Sequence, residues 1–183
     1  HLDRHKTLEN YIAIKESITK NQDENDFCVL NYNDPVLREF GKTPRCKVIF
    51  FSSSEELESG VFLRGDTMII KENGVETPVC TTKDTSLVGM HNYENIMAAI
   101  AMTHAMGVPL DTIRQGIKEF TAVEHRIEFV AEKNGVKYYN DSKGTNPDAA
   151  RKAVCAMPSP TILIGGGYDK KSSYDEWVAT FEG

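Results

Sequence analysis

The stretch of residues 140–147 carries an unusual density of groups that bind anions. It contains the carboxylate of Asp141, the ammonium of Lys143 and the hydroxyls of Ser142 and Thr145. The stretch lies between a predicted strand and a predicted helix, so the positive end of the helix dipole and its free N–H groups add to the attraction. These components predict an anion or phosphate site, and a polar strand-to-helix loop with a good helix cap is the alternative.

A second polar loop follows the apolar run 161–164, which predicts a strand. Gly165, Gly166 and Gly167 come directly after this run, and Lys170 follows in the same loop. The chain does not contain the phosphate-loop pattern G-x-x-x-x-G-K-[ST], so a turn needed only for close backbone packing is the alternative. Ligands bind at the carboxyl ends of strands in α/β sheets, and two such loops in one unit therefore favour a ligand site.

Residues 7–20 show the apolar spacing of a helix, with Thr7 as its N-cap, and Lys15 lies on the apolar stripe. Burial of an ammonium group lowers its pKa, and a neutral lysine amine can react with carbon dioxide. The resulting carbamate is an oxygen ligand suited to Mg²⁺. A side chain that reaches solvent is the alternative for Lys15. His1 and His5 are further candidate metal ligands, although chain termini commonly fray.

Three more polar side chains have types and positions that suit a ligand. Arg126 is a fixed cation that can make forked hydrogen bonds to a phosphate group. Asn92 and Asn95 are three residues apart at the start of a predicted helix, so both amides can point to one side of its first turn. Helix capping and a surface pair are the alternative for these residues.

The elements that must position these groups alternate between strands and helices. We predict strands at residues 27–32, 47–51, 61–63, 67–70, 75–79, 127–131, 136–139 and 161–164. We predict helices at residues 7–20, 93–106, 111–120, 147–156 and 174–181, with Asn92 and Asn146 as N-caps. Asn-Gly pairs at 73–74 and 134–135 predict hairpin turns. The pattern predicts an α/β fold with a boundary near Ala122, giving domains 1–122 and 123–183.

Composition excludes several classes of protein. The chain has 183 residues, 40% of them hydrophobic, and a formal net charge of −6, which gives no electrostatic basis for binding nucleic acid or an anionic membrane. The four cysteines are scattered, so we expect reduced thiols and a cytoplasmic protein. Apolar runs are too short to span a bilayer. Because the chain begins with His1, we expect it to be a piece of a longer polypeptide.

The candidate groups occur in an order that resembles the Mur ligase family. The strings HLDRH at 1–5, HNYEN at 91–95, HRIE at 125–128 and DSKGTNP at 141–147 carry the resemblance, together with Lys15. DSKGTNP and the following GGYDK are most similar to the members that add D-glutamate. The resemblance implies the second half of a central ATPase domain, followed by the first part of a Rossmann-like C-terminal domain.

The resemblance also implies a reaction. ATP would phosphorylate the carboxylate of UDP-N-acetylmuramoyl-L-alanine, and the amine of D-glutamate would then attack the acyl phosphate, in peptidoglycan precursor synthesis. Such a site needs Mg²⁺ and cations to neutralise developing negative charge. The substrates would be small molecules, with neither nucleic acid nor membrane as a partner.

The roles implied for individual residues follow the family motifs. Lys15, as a carbamate, and His1 would hold or orient Mg²⁺. Lys143 would lie near the transferred phosphoryl group. The remaining implied contacts are Asn92 and Asn95 with the base of ATP, Arg126 and Asp141 with its phosphate and ribose, and Thr145 and Lys170 with D-glutamate.

The phosphate loop and the uridine-binding domain of the family are absent from this sequence. We therefore expect the 183-residue chain alone to be inactive, Lys15 in it to be unmodified, and exposed sheet edges to favour self-association. Two alternatives stay open at this stage. The parent protein could be a related ligase of the folylpolyglutamate synthase type, or a phosphate-binding module without enzymatic activity.

Overall fold

The computed structural model describes residues 6–121, 124–168 and 173–181. The chain divides into two compact units, the first formed by residues 1–82 and 94–117 and the second by residues 83–93 and 118–183. The boundary predicted between Ala122 and Val123 lies outside the described residues and stays a prediction. Among the described residues, no helix is long and apolar enough to cross a membrane.

A five-stranded mixed sheet forms the centre of the first unit. Its strands are, in chain and spatial order, β1 (Phe27–Asn31), β2 (Lys47–Ser52), β3 (Gly60–Arg64), β4 (Thr67–Glu72) and β5 (Val75–Thr81). The first three strands are mutually parallel, and β4 and β5 continue the sheet antiparallel. The predicted Asn-Gly turn between β4 and β5 is confirmed, because Asn73 and Gly74 both have positive φ, at 52° and 78°.

The apolar residues of β3 and β4 are mostly buried, whereas Phe27 of β1 and Val75 of β5 are exposed. Phe62 of β3 and Met68 of β4 are fully buried, and Phe62 packs with Leu57 and Ile69. Burial over most of β3 and β4 fits the continuous apolar runs from which the strands were predicted. Because β1 and β2 are parallel, their carboxyl ends lie at the same edge of the sheet.

The helices described for this part of the chain are, in chain order, α1 (Leu8–Glu16), α2 (Pro35–Phe40), α3 (Met90–Ala105) and α4 (Leu110–Glu119). Thr7 caps α1 as predicted, since its hydroxyl accepts a hydrogen bond from the N–H of Asn10. The prediction that Asn92 caps α3 is wrong, because the helix already begins at Met90 and Asn92 lies within its first turn. The end predicted for α3 is confirmed by Gly107, which has a φ of 77°.

The second unit contains a hairpin and short helices. Strands β6 (Glu128–Lys133) and β7 (Val136–Asn140) pair antiparallel, followed by α5 (Pro147–Cys155), α6 (Asp175–Val178) and a 3₁₀ turn at Ala179–Phe181. The strand predicted at residues 161–164 is wrong, because this run is not assigned to a strand. Its side chains at Ile162 and Ile164 are both 94% exposed, and the described residues provide no strand with which the run pairs.

Candidate functional site

The backbone on either side of Arg126 adopts an uncommon conformation. His125 and Ile127 have φ angles of 68° and 48°, in the left-handed region. That region is costly for a β-branched residue such as Ile127, by about 1–3 kcal/mol. The side chain of Ile127 is buried while Arg126 is exposed. Contacts around the segment must therefore hold it in place.

Two hydrogen bonds fix this segment to the loop that follows β7. The N–H of Ile127 donates to Oδ1 of Asp141 at 3.1 Å, and the N–H of Lys143 donates to the carbonyl oxygen of His125 at 2.9 Å. Residues 125–127 and 141–143 therefore lie side by side. The structure thus brings together the backbone segments of Arg126, Asp141 and Lys143, which the sequence had predicted as candidate site residues.

Sequence reasoning assigned no supporting role to the residues that hold this arrangement in place. The side-chain amide nitrogen of Asn140 lies 2.8 Å from Nδ1 of His125, and a carboxylate oxygen of Glu128 accepts a hydrogen bond from the His125 N–H at 2.8 Å. Asn140 also accepts a hydrogen bond from the N–H of Ser142 through its Oδ1. An asparagine directly before Asp-Ser is a turn signal from which the last of these contacts could have been predicted. The contacts of Asn140 with His125 depend on the hairpin of β6 and β7.

The loop between β7 and α5 is compact. The N–H of Gly144 donates to the carbonyl oxygen of Asp141 at 2.8 Å, and the N–H of Thr145 donates to the carbonyl oxygen of Lys143 at 2.8 Å. A Cβ at Gly144 would come close to both Oδ2 and the carbonyl oxygen of Asp141, so this position has little room for a side chain. The fold thus holds the Asp141 carboxylate and the exposed side chains of Lys143 and Thr145 within one tight turn.

The start of α5 follows this turn as predicted. Asn146 is the N-cap, with its Oδ1 accepting a hydrogen bond from the N–H of Ala149 at 2.8 Å, and Pro147 occupies the first turn. Asp148 lies in the same turn, and its hydrogen bond from Lys152, with a second from Arg151, lowers its pKa. The Lys143 ammonium therefore lies on a loop that leads into the positive end of a helix dipole.

The other predicted site residues lie elsewhere in the fold. Asn92 is buried, and its amide nitrogen donates to the carbonyl oxygen of Val88 at 2.8 Å, whereas Asn95 is exposed. The Lys15 ammonium is exposed over the ring of Tyr11, 5.6 Å from its centroid. The burial considered for Lys15 is not observed, because α1 has no buried residue. His1 and Lys170 lie outside the described residues.

A group of polar side chains that the sequence did not reveal lies at the carboxyl ends of β1 and β2. We call it the sheet-edge cluster. Hydrogen bonds of 2.6–3.2 Å connect its members, which are Asn33, Ser52, Ser53, Ser54 and Glu94. Glu94 is contributed by α3, and the remaining members follow or end the two strands.

Comparison with known families identifies the fold. Residues 1–103 match the family model of the Mur ligase middle domain, which is more than half of the 183 residues. The chain belongs to the Mur ligase family. This result confirms the α/β fold and the family that the motifs predicted.

Curated Mur ligases provide the most informative sequence similarities. Proteins from Lachnoclostridium phytofermentans and Lachnospira eligens are each 50% identical over 182 residues, which is 100% of this chain and 40% of theirs. One from Thermoanaerobacter sp. is 47% identical over 183 residues, again 100% of this chain and 40% of its own length. All three are named UDP-N-acetylmuramoylalanine--D-glutamate ligase. The chain thus spans about 40% of the length of these Mur ligases.

Solved structures of other Mur ligases share the fold. MurF from Acinetobacter baumannii is 18% identical with a TM-score of 0.63, covering 86% of this chain and 35% of that one. MurF from Thermotoga maritima, crystallised in complex with ADP, is 21% identical with a TM-score of 0.60. The match covers 85% of this chain and 36% of that one. A variant of L. casei FPGS is also similar, at 18% identity and a TM-score of 0.59. The match covers 98% of this chain and 46% of that one. At these identities the similarity shows the fold alone.

The described residues do not by themselves provide the Mg²⁺ site expected for a Mur ligase. Residues 6–121, 124–168 and 173–181 contain no group of three or more His, Cys, Asp or Glu side chains that could hold a metal ion. The exposed Lys15 is a single amine, and it would become an oxygen ligand only as a carbamate. A complete set of Mg²⁺ ligands is therefore not found among the described residues.

Proposed function

We propose that this chain is part of an ATP-dependent ligase that adds D-glutamate to UDP-N-acetylmuramoyl-L-alanine in peptidoglycan precursor synthesis. The names of the relatives, which are 44–50% identical across the chain, support the substrates. The observation that carries the proposal is the arrangement of residues 125–127 against residues 141–143. It fixes a guanidinium-bearing segment beside a carboxylate and an ammonium-bearing loop at a helix N-terminus.

The proposed reaction joins a carboxylate and an amine with ATP as the activating reagent. A carboxylate oxygen of UDP-N-acetylmuramoyl-L-alanine attacks the γ-phosphorus of ATP, and ADP leaves. The amine of D-glutamate then attacks the carbonyl carbon of the acyl phosphate, loses a proton and expels inorganic phosphate from the tetrahedral intermediate. Negative charge grows on phosphoryl and carbonyl oxygens in both steps, so cationic groups stabilise both transition states.

The second unit would supply such cations. We propose that the Arg126 guanidinium contacts the phosphates of ATP and that the Lys143 ammonium neutralises the transferred phosphoryl group. Asp141 would contact the ribose through Oδ2, because its Oδ1 already accepts the N–H of Ile127. Thr145, on the loop beside Lys143, would contact D-glutamate together with Lys170.

In the first turns of α3 we propose contacts with the base of ATP. Asn95 is exposed and can both donate and accept hydrogen bonds through its amide. The amide nitrogen of Asn92 is bound to Val88, so its carbonyl oxygen would make the contact.

Lys15 as a carbamate, together with His1, is proposed to contribute to Mg²⁺ binding. Mg²⁺ would supply additional charge neutralisation on the phosphates.

The test is ligation by a full-length protein that contains this sequence. With ATP and UDP-N-acetylmuramoyl-L-alanine, we expect ADP release and an amide product with D-glutamate, and at least tenfold lower kcat/KM with L-glutamate, L-lysine or diaminopimelate. A preference for another amine, or for a folate as the carboxylate substrate, would replace the proposal with a different ligase. ATP binding without turnover would indicate a phosphate-binding module. The 183-residue chain alone is expected to give no product, because it lacks the phosphate-loop pattern.

A further inference from the structure

Glu94 anchors an early turn of α3 to the sheet. Its Oε1 accepts a hydrogen bond from the hydroxyl of Ser53 at 2.7 Å and another from the amide nitrogen of Asn33 at 3.2 Å. The Asn33 amide nitrogen also donates to the Ser53 hydroxyl at 2.6 Å. Hydrogen bonds to a carboxylate are stronger than those between neutral groups. Glu94 therefore connects α3 to the segments that follow β1 and β2.

Hydrogen bonds also connect the other members of the sheet-edge cluster to one another. Oδ1 of Asn33 accepts the hydroxyls of Ser52 at 2.8 Å and Ser54 at 2.9 Å. The Ser52 side chain is fully buried, and its oxygen accepts the N–H of Glu55 at 2.9 Å. Both oxygen and nitrogen of the Asn33 amide are thus occupied, which defines its orientation. Glu94 therefore contacts residues that are themselves hydrogen-bonded within the cluster.

The position of this contact suggests more than general stability. It lies at the carboxyl ends of parallel strands, where α/β proteins bind ligands. Glu94 directly precedes Asn95, whose exposed amide we have proposed as a contact for the base of ATP. A second polar contact ties α3 to the sheet near the other end of the helix, where Nε2 of His104 lies 3.3 Å from a carboxylate oxygen of Glu72. Glu94 is the direct neighbour of Asn95, whereas His104 lies in the last turn of the helix.

We propose that Glu94 is a positioning residue for nucleotide binding. By fixing an early turn of α3 to Ser53 and Asn33, it holds the amide of Asn95 ready for the base and reduces the ordering required on binding. The inference rests on the proposed function, since it assigns Asn95 to ATP. It does not require Glu94 to touch the nucleotide.

The experiment compares variants of a full-length protein that contains this chain. For Glu94→Ala we expect KM and Kd for ATP to rise roughly tenfold, with kcat within about twofold and KM for D-glutamate unchanged. Glu94→Gln keeps an oxygen acceptor, so its Kd for ATP should rise only about twofold. His104→Ala is the matched control. It removes another polar contact of α3 with the sheet, and its Kd for ATP should equal that of the wild type.

Ser53→Ala tests the same contact from the other side and keeps the proposal falsifiable if Glu94→Ala does not fold. We expect a roughly threefold rise in Kd for ATP, and a double variant no worse than Glu94→Ala alone, because both changes remove the hydrogen bond that the Ser53 hydroxyl donates to Glu94. The inference would be overturned by an unchanged Kd for ATP in Ser53→Ala or by fully additive effects of Ser53→Ala and Glu94→Ala on that Kd. It would also be overturned if Kd rose as much in His104→Ala as in Glu94→Ala. Calorimetric Kd values need no turnover, so a wild-type protein that binds ATP without ligating D-glutamate would refute the proposed function and leave this test intact.

Discussion

Replacing Asp141 by alanine should release the strained segment around Arg126. Oδ1 of Asp141 accepts the N–H of Ile127 at 3.1 Å, while Ile127 holds a φ of 48°. A hydrogen bond to a charged group contributes about 1.5–3 kcal/mol, and the left-handed conformation costs about 1–3 kcal/mol. The two quantities are similar, so loss of the carboxylate removes the interaction that offsets the strain. Residues 125–127 should then relax toward negative φ.

The expected consequence is a loss of kcat/KM for ATP in a full-length protein that contains this sequence. Removal of 1.5–3 kcal/mol corresponds to a decrease of roughly tenfold to a hundredfold. Asp141→Asn retains an oxygen that can accept the Ile127 N–H, so its decrease should be clearly smaller. Asp148→Ala is a control for the change in charge, because Asp148 forms ion pairs with Arg151 and Lys152 on α5.

Hydrogen exchange measured at the Ile127 amide tests the cause directly. We expect exchange to be faster in Asp141→Ala than in the wild type, and close to the wild-type rate in both Asp141→Asn and Asp148→Ala. Unchanged exchange in Asp141→Ala would refute the reasoning. Equal losses of kcat/KM in the alanine and asparagine variants would also refute it, because the charge and not the hydrogen bond to Ile127 would then be decisive.

Three further predictions concern the first unit, each measured by equilibrium unfolding of the full-length protein. Gly60→Ala should lower the free energy of unfolding by more than about 3 kcal/mol, because φ is 126° and a Cβ would collide with the backbone of β2. Gly65→Ala is the comparison and should cost about 1–2 kcal/mol, because its φ is 61° and a Cβ there would meet no other atom. Equal losses in the two variants would contradict this reasoning. Ile100→Ala should lower the free energy of unfolding by about 2–5 kcal/mol, because the side chain is fully buried, and a loss below about 1 kcal/mol would contradict this burial. The hydrogen bond from Arg64 lowers the pKa of Glu56, so Arg64→Ala should be less stable than the wild type at pH 7. The difference in stability should disappear as the pH falls through that lowered pKa, because Glu56 then becomes protonated. A difference that grows toward low pH would disprove the ion pair.

Much of the fold was accessible from local sequence patterns. The Asn73-Gly74 turn and the cap formed by Asn146 with Pro147 depend on residues that are close in sequence, and the structure confirms both. The burial suggested for Lys15 was not observed, because a stripe on a helix is buried only where another element covers it. The run 161–164 fails as a strand for a similar reason, since a strand needs a neighbour with which to pair.

The candidate site was only partly accessible. The string at 141–147 and Arg126 were recognisable by residue type, and the hairpin of β6 and β7 connects their segments. The sheet-edge cluster could not be predicted, because Glu94 lies 41 residues from Ser53 and 61 residues from Asn33. Such contacts depend on how strands and helices associate, which spacing along the chain does not encode.

Transfer of oxygen between substrates tests the central claim most directly. The measurement uses a full-length protein containing this sequence, ATP, D-glutamate and UDP-N-acetylmuramoyl-L-alanine labelled with ¹⁸O in its carboxylate. An acyl phosphate predicts that each amide bond formed releases one phosphate that carries an ¹⁸O atom from that carboxylate, detected by mass spectrometry. Amide product with unlabelled phosphate, or ATP hydrolysis without amide product, would contradict the account.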